Sequence, residues 1–434
     1  MRTDGDHPNS SRRHPRASAS QRMKIGEVGP RPIIRMRPGL VYLLDVFCTV
    51  PYYQAALCDG LRRRGVRVEL GSTSYYQDHE AFRSLGLAPD RGLVDIVAWL
   101  PRLARWLRRP LKLLEGLVNY GLLAVRFLLF PPAILHVQYL ALVPLGVPLE
   151  LWLIRLCRWR GTRVVYTVHD VLPHDTGMRH AEQFRQVYEL ADRLICHSDS
   201  MRKQVSEKFA IPAGRIEVIP HGLLQASRNE LSRSEARARL GLPVGPVLVL
   251  TLGIIKPYKG IPFLLDAWAE LCRQPGDALL VVAGTGPADL LAELRTQAGR
   301  LGLGGSVRFD FRYLSQEELD AYHEAADILV YPYRSITTSG ALLTGLARRK
   351  PIVATRLPAF EDLLCDGETA RLVEYGDTAG LARALACWIE DPSERARYGQ
   401  ATARLVEADL SWDTISRRTC ACYESLNDKG KHTA

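Results

Sequence analysis

Residues 331–354 constrain the fold more than any other stretch of this chain. Tyr331-Pro332-Tyr333 reads as the end of a buried strand, and Thr337-Thr338-Ser339-Gly340 as a loop. A short helix at 340–348 follows, and Lys350-Pro-Ile-Val-Ala354 is a second strand. Strands alternating with helices in this way give α/β architecture with parallel sheets. Thr338 and Ser339 are good N-cap residues, and Gly340 lets a ligand approach the backbone. A helix starting there presents unpaired N–H groups and the positive end of its dipole beside several hydroxyls. That combination suits an anion, above all phosphate.

The same strand-to-glycine pattern occurs twice more upstream. Val247-Leu-Val-Leu-Thr-Leu-Gly253 is an apolar run ending in glycine. The basic loop Ile254-Ile-Lys-Pro-Tyr-Lys-Gly260 and an amphipathic segment at 261–271 come next. Lys256 and Lys259 supply positive charge for a diphosphate. Leu279-Leu-Val-Val-Ala-Gly-Thr-Gly-Pro287 repeats the pattern, and Gly284 and Gly286 allow close approach of a base or ribose. One such loop is a weak signal. Three at the carboxyl ends of successive strands are the parts of a nucleotide half-site.

With 434 residues, the chain suits two domains of about 150–200 residues each. The expected division is a tail at 1–36, a first Rossmann-like domain at 37–222, a second at 223–410, and a terminal segment at 411–434. The tail is rich in Ser, Pro and Arg without apolar periodicity, so it reads as disordered and not as a secretory signal. Nine scattered cysteines, an odd number with no Cys-x-x-Cys pair, indicate buried free thiols and a reducing cytoplasm. The net charge of +10 fits a polyanionic partner. Neither zinc-finger spacing nor an aromatic-basic motif accompanies it, which disfavours nucleic acid.

In the first half, Gly39–Val46 is a buried strand, Pro51 opens a helix running to about Arg64, and 65–70 is the next strand. Tyr52 and Tyr53 stand where many nucleotide folds carry glycines, which points to an acceptor-side role. Residues 133–138 and 163–168 read as successive parallel strands. His169 and Asp170 then sit at a strand's carboxyl end, where α/β clefts form, and His174 lies on the same loop. Ser198 caps the helix that begins near Met201, and His221 belongs to a Pro-His-Gly turn. Glu361 and Asp362 are expected to cap the helix after Pro358, the alternative being contact with the donor.

Segment 95–130 combines aromatic and basic residues. Trp99, Leu100, Leu103, Trp106, Leu107 and Leu111 follow helical spacing, with Arg102, Arg105, Arg109 and Lys112 between them. A basic amphipathic helix with tryptophans is expected to lie at an anionic membrane surface. Pro110 should kink or end it. The apolar run at 117–129 is shorter than the roughly 20 residues needed to cross a bilayer.

Taken together, Gly253–Gly260, Ala283-Gly-Thr-Gly-Pro287, Tyr313–Leu319, Ala326–Pro332, Lys350–Ala354 and Asp366–Val373 resemble the nucleotide-sugar half of a GT-B glycosyltransferase of family 4. Val165–Asp170 and Val218–Gly222 resemble the end of its acceptor half and its linker. The likeness covers roughly 37–428 and implies two Rossmann-like domains facing across a cleft, with a terminal helix crossing back. It implies retaining transfer of a hexosyl group from a UDP- or GDP-sugar to a lipid-linked or polysaccharide acceptor, on the inner face of the membrane. It also places His169 beside the transferred sugar. The family carries a pair of glutamates at the positions held here by Ile336 and Thr344. A Ser-Gly helix start in their company resembles exopolysaccharide-type members.

No Asp-x-Asp pair stands at any expected strand end, because Asp310 is followed by Phe311 and Arg312. Lysines and helix dipoles are therefore expected to meet the diphosphate charge without a metal or other cofactor. His169 can hydrogen-bond a sugar hydroxyl or balance developing charge, and Asp170 orients its neighbours. Three other readings remain open: a catalytically silent GT-B partner of another transferase, a nucleotide-sugar epimerase, and a nucleic-acid binder.

Overall fold

The computed structural model describes residues 39–73, 82, 85–88, 90–100, 104–172, 179–223, 231–272, 277–336 and 339–428. The tail, Arg102, His174, Thr337, Thr338 and the side chain of Arg105 lie outside the described residues.

Two parallel six-stranded sheets organise the described residues. The first contains β1 (Val41–Leu44), β2 (Val68–Gly71), β3 (Ile134–Val137), β4 (Arg163–Val168), β5 (Arg193–Cys196) and β6 (Ile216–Val218). Its spatial order is β2-β1-β3-β4-β5-β6. The second contains β7 (Val247–Leu252), β8 (Ala278–Ala283), β9 (Val307–Asp310), β10 (Ile328–Tyr331), β11 (Ile352–Thr355) and β12 (Arg371–Val373), in the order β12-β11-β10-β7-β8-β9. The apolar runs form these strands because both sheet faces are covered. Leu248 and Leu250 join one core cluster, while Val249 between them joins another with Trp268 and Trp388. The order in which strands are added reverses between β1 and β3 in one sheet and between β7 and β10 in the other, while every pair stays parallel. Such switch points leave a crevice at the carboxyl ends of the strands.

The helices that matter for the site are α1 (Pro51–Arg63), α2 (Arg105–Leu129), α3 (Leu149–Trp159), α4 (Asp199–Phe209), α5 (Arg233–Leu240), α6 (Gly340–Ala347) and α7 (Trp412–Asp428). Ser198 caps α4 by accepting from the Met201 N–H. The terminal helix α7 packs on α1. Arg64 reaches the Asp413 carboxylate at 2.7 Å and Ser416 Oγ at 3.1 Å. Gly60 permits this approach, since a Cβ there would lie 2.9 Å from Ser416. Tyr423 of α7 sits 2.6 Å from Nδ1 of the buried His136 on β3.

The 95–130 segment departs from the sequence expectation in three ways. It is not one helix up to Pro110: a short turn, Ile96–Trp99, stops at Leu100. Leu100 precedes Pro101, and the residue before a proline is disfavoured in the α region. Helix α2 then runs unbroken through Pro110. Lys112, expected at a membrane surface, is instead buried, ion-paired with Asp95 at 3.1 Å and with Glu115. Glu115 also accepts from the Val97 N–H, and Asn119 binds both backbone groups of Val94. The polar stripe of α2 thus faces inward and holds the 94–97 segment. Its outward stripe is apolar: Leu107, Leu114, Val118, Leu122, Val125 and Leu129 are all exposed. Trp99 and Trp106 are 80% and 75% exposed, and Trp152 and Trp159 of α3 are exposed as well.

Candidate active site

On the second sheet, three loops gather at the carboxyl ends of adjacent strands. Gly253 follows β7 with φ 120°, and Gly284 follows β8 with φ 133°. A Cβ on Gly284 would lie 2.0 Å from the Gly253 carbonyl oxygen, so these turns interlock only as glycines. Ile255 N–H donates to the Thr285 carbonyl at 2.7 Å, and Gly286 lies against Ile255. After β10, Ser339 caps α6 by accepting from the Leu342 N–H at 3.1 Å, and Gly340 begins the helix.

Lys256 and Lys259 lie on the loop after β7. Lys256 is exposed. Lys259 is half-buried, bonded to the Tyr333 hydroxyl, with its ammonium 4.1 Å from that ring's centroid. Burial, together with the charge of Lys256, pushes the Lys259 ammonium down to about 8.

A cavity of about 210 Å³ opens beside β7 and β10, lined by Gly253, Leu319, His323, Tyr331 and Thr344, with Tyr52 of α1 at its edge. Thr344 therefore lies in the cleft region without a carboxylate, its hydroxyl bonded to the Gly340 carbonyl at 3.0 Å. Ile336 packs against the core.

On the first sheet, the carboxyl ends of β4, β5 and β6 bring three histidines together. Val168 pairs with Cys196, and Cys196 with Val218. His169 and His197 follow their strands directly, and His221 follows β6 after two residues. One ring nitrogen from each lies within 4.8 Å of the others. His197 Nε2 is 3.3 Å from His169 Nδ1, and His169 Nε2 is 3.4 Å from Gln138 Oε1. The Tyr53 ring packs on all three imidazoles, with centroids 4.8, 5.4 and 4.9 Å away, and Trp412 of α7 packs behind it. Burial holds His197 down to about 3 and His221 to about 4. Burial, then His197 and His221, keep His169 well below the ordinary histidine value. All three rings are neutral near pH 7.

The two halves also touch. Ser200, at the start of α4, donates to the Asp362 carboxylate. Asp362 therefore does not cap the helix after Pro358, and Glu361 pairs with Arg356 at 3.1 Å. The capping role fails because the turn at 358–361 is entered from Leu357, which leaves both carboxylates past its start.

Sequence reasoning assigned no role to His197, Gln138, Tyr333 or Trp412. A histidine recurring at successive strand ends was the available signal for His197. The other three are brought in by long-range packing.

The model for glycosyl transferases group 1 matches residues 232–405, and that for Glycosyltransferase Family 4 matches residues 50–223. The chain belongs to the family 4 glycosyltransferases. A D-inositol 3-phosphate glycosyltransferase of Streptomyces avermitilis is 31% identical over 246 residues, covering 55% of this chain and 53% of the relative. An alpha-D-kanosaminyltransferase of Streptomyces kanamyceticus is 27% identical, covering 56% and 62%. The chain spans about half the length of the curated relatives it matches first. A glycosyltransferase from Rickettsia africae aligns with TM-score 0.67 at 14% identity, over 89% of this chain and 98% of that one. Anabaena HepE, solved with UDP and glucose, aligns with TM-score 0.65 at 16% identity, over 89% and 100%. These likenesses show the GT-B fold of this family 4 member.

Proposed function

We propose that this chain is a retaining glycosyltransferase that moves a hexosyl group from a UDP- or GDP-sugar to a lipid-linked or glycan acceptor. The carrying observation is the set of glycine loops with Lys256 and Lys259 at the carboxyl ends of β7, β8 and β10. Backbone N–H groups, the start of α6 and two ammonium groups supply the positive charge a diphosphate needs, so the donor is read as bound without a metal. His169 is the candidate group beside the transferred sugar, with the exposed Tyr52 on the acceptor side; Tyr53 is buried under the histidines and supports them. The nucleotide and glucose bound by HepE make UDP-glucose the first donor to try. The relatives' inositol phosphate acceptor makes a polyol phosphate the first soluble acceptor.

The test is a panel of UDP- and GDP-hexoses with these acceptors, scored by release of nucleoside diphosphate and by the product's anomeric configuration. Transfer with retained configuration is expected. An inverted product removes the retaining assignment. Donor binding without turnover on any acceptor favours a second reading, a silent partner of another transferase. That reading is motivated by the missing carboxylates at Ile336 and Thr344.

Lys256→Ala and Lys259→Ala are each expected to weaken donor binding by on the order of 1.5–3 kcal/mol, the loss of one charge-assisted hydrogen bond. Because the free Lys259 ammonium titrates near 8, donor affinity should be highest below pH 8 and fall as pH rises through it. The Lys259→Ala variant should lose that slope. Calorimetric titration of UDP between pH 7 and 9 checks both, and a flat profile in the parent protein removes Lys259 from the site.

The apolar outward stripe of α2, with Trp99, Trp106, Trp152 and Trp159, supports peripheral attachment to a membrane on the cytoplasmic side. No helix among the described residues is long and apolar enough to cross one. Arg109 and Arg155, both exposed, would add roughly 1 kcal/mol each against an anionic surface. Sedimentation with phosphatidylglycerol vesicles should occur and weaken with salt. Replacing Leu114, Leu122 and Val125 with Ser should release the protein while leaving its melting temperature nearly unchanged. Unaltered sedimentation of that folded variant would place the interface elsewhere.

A further inference from the structure

At the amino ends of β4, β5 and β6, the end of the first sheet opposite the histidines, a cavity of about 260 Å³ is lined by Arg158, Arg163, Arg193 and Arg215 together with Glu189 and Asp192. Arg163 and Arg193 open β4 and β5, Arg215 directly precedes β6, and Arg158 lies in the last turn of α3. Two of the four hold the fold. Arg215 donates to the carbonyls of Tyr188 and Glu189 at 3.0 Å and to that of Ala191, and Arg158 donates to the Leu190 carbonyl at 2.6 Å. Together they cap the end of the helix Ala181–Leu190. The other two are less committed. Arg163 faces only the Asp192 carboxylate, at 3.5 Å, and Asp192 already sits 3.2 Å from Arg158 and accepts from the Val164 N–H at 2.8 Å. The Arg193 side chain is 8% exposed, yet it makes a single hydrogen bond, at 3.3 Å to the Asp192 carbonyl. Its buried Nε has no acceptor among the described residues, Glu217 Oε1 being 3.9 Å away. A buried guanidinium ordinarily finds acceptors for its N–H groups. Even with Glu217 counted, the guanidiniums outnumber the carboxylates here. Burial, and then the charges of Arg158 and Arg193, press the Arg215 guanidinium below its ordinary value against the pull of Asp192.

We propose that Arg163 and Arg193, backed by Arg158 and Arg215, form a second anion site, one that takes a phosphomonoester or diphosphate group. A guanidinium fork matches phosphate oxygens two at a time, and a surplus of guanidiniums favours a multiply charged anion. Arg163, 45% exposed, meets solvent, whereas Arg193 is buried, so an anion entering the cavity would supply the acceptor that Arg193 Nε lacks. β4 and β5 begin with these arginines and end next to His169 and His197, which puts a whole strand length between this site and the sugar side. It stands on the first sheet, whereas Lys256 and Lys259 follow a strand of the second, so it is not the donor diphosphate site. The exposed Trp159 is next to Arg158 in sequence, so the phosphate can belong to a lipid head group as well as to a soluble molecule. Anion binding here is independent of the transferase reading, since it is measured without turnover.

The experiment is calorimetric titration of the full chain with pyrophosphate at low ionic strength, in a Lys256→Ala/Lys259→Ala background that removes the donor-side lysines. One pyrophosphate per chain should still bind there. Adding Arg163→Gln should weaken that binding by about 10–100-fold, the loss of a charge-assisted hydrogen bond, and Arg163→Glu should abolish it. Arg163 contributes no hydrogen bond among the described residues, so both variants should keep the parent melting temperature. In the otherwise unaltered protein, both should leave UDP affinity unchanged. A second arm reads the source of the phosphate by sedimentation with vesicles containing phosphatidic acid, a phosphomonoester, or an equal fraction of phosphatidylglycerol, a diester. A preference for phosphatidic acid that Arg163→Gln removes identifies a lipid head group. Pyrophosphate binding lost in the Arg163 variants, without such a preference, identifies a soluble anion. Neither pyrophosphate binding nor a phosphatidic acid preference, or binding that both folded Arg163 variants leave unchanged, overturns the site.

Discussion

His169→Ala is expected to lower sugar transfer by about 10²–10³-fold while nucleotide affinity stays nearly unchanged. The magnitude is that of removing one preorganised group from a developing charge. Nucleotide affinity should survive because His169 stands on the first sheet, whereas the loops read as holding the nucleotide stand on the second. The neighbourhood makes the experiment informative. His169 contacts His197, Gln138 and the Tyr53 ring, so truncation also opens a gap beneath Tyr53. A purely structural role would therefore show as a lower melting temperature with kcat little changed in the surviving protein. A role at the sugar would show as lost kcat with the melt and the UDP titration preserved. Turnover like that of the parent, in a folded variant, returns His169 to the structural category.

The second large effect is on stability. Arg237→Ala should destabilise the second half by about 3–5 kcal/mol, the cost of breaking a buried ion pair by removing one partner. Arg237 is fully buried on α5. Its guanidinium donates to the carbonyls of Ala325, Pro243, Val244 and Pro246 at 2.8–3.0 Å and to the Asp327 carboxylate at 2.6 Å. Asp327 also accepts from the Leu248 N–H at 2.8 Å, at the start of β7. The variant thus loses the tie that seats β7, the strand leading into the lysine loop. Each kcal/mol shifts the melting temperature by roughly 2–4 °C for a domain of this size, so a drop of about 6–20 °C is expected. The exposed Arg233, which also pairs with Asp327, should cost no more than about 1 kcal/mol when replaced by alanine. Equal effects of the two substitutions would show that burial does not set the energy. Burial opposes ionisation of Asp327, but hydrogen bonds from Arg233 and Leu248 and the charge of Arg237 hold its carboxyl below the usual range. This contribution is therefore present at neutral pH and lost as pH falls through that depressed value.

The α/β class, the strands β1–β4, β7, β8, β10 and β11 and the three glycine loops were legible in the chain. Their signals are local: apolar runs a few residues long, those of the second half leading into glycine loops. Ser198 and Ser339 cap the helices expected of them, because an N-cap needs only the N–H groups two or three residues on. The resemblance in those same segments carried the family. Pro110 does not end the helix, for a local reason of its own. A proline removes one helical hydrogen bond, but the helix around it is held by packing, and the actual break fell at Leu100 before Pro101.

Helical periodicity showed that α2 has two faces, but not which one the protein buries. Lys112, Glu115 and Asn119 turn inward because the 94–97 segment offers them the Asp95 carboxylate and its backbone groups, and that segment reaches them only in the folded chain. The His169–His197–His221 cluster depends on the register of three strands whose histidines are 24 to 52 positions apart in the sequence. Tyr423 reaches His136, and Trp412 reaches Tyr53, from the far end of the chain. Local composition decided which elements this protein would form. The tertiary structure alone decided which polar groups meet, because hydrogen bonds and ion pairs depend on distances of a few ångströms that sequence separation does not encode.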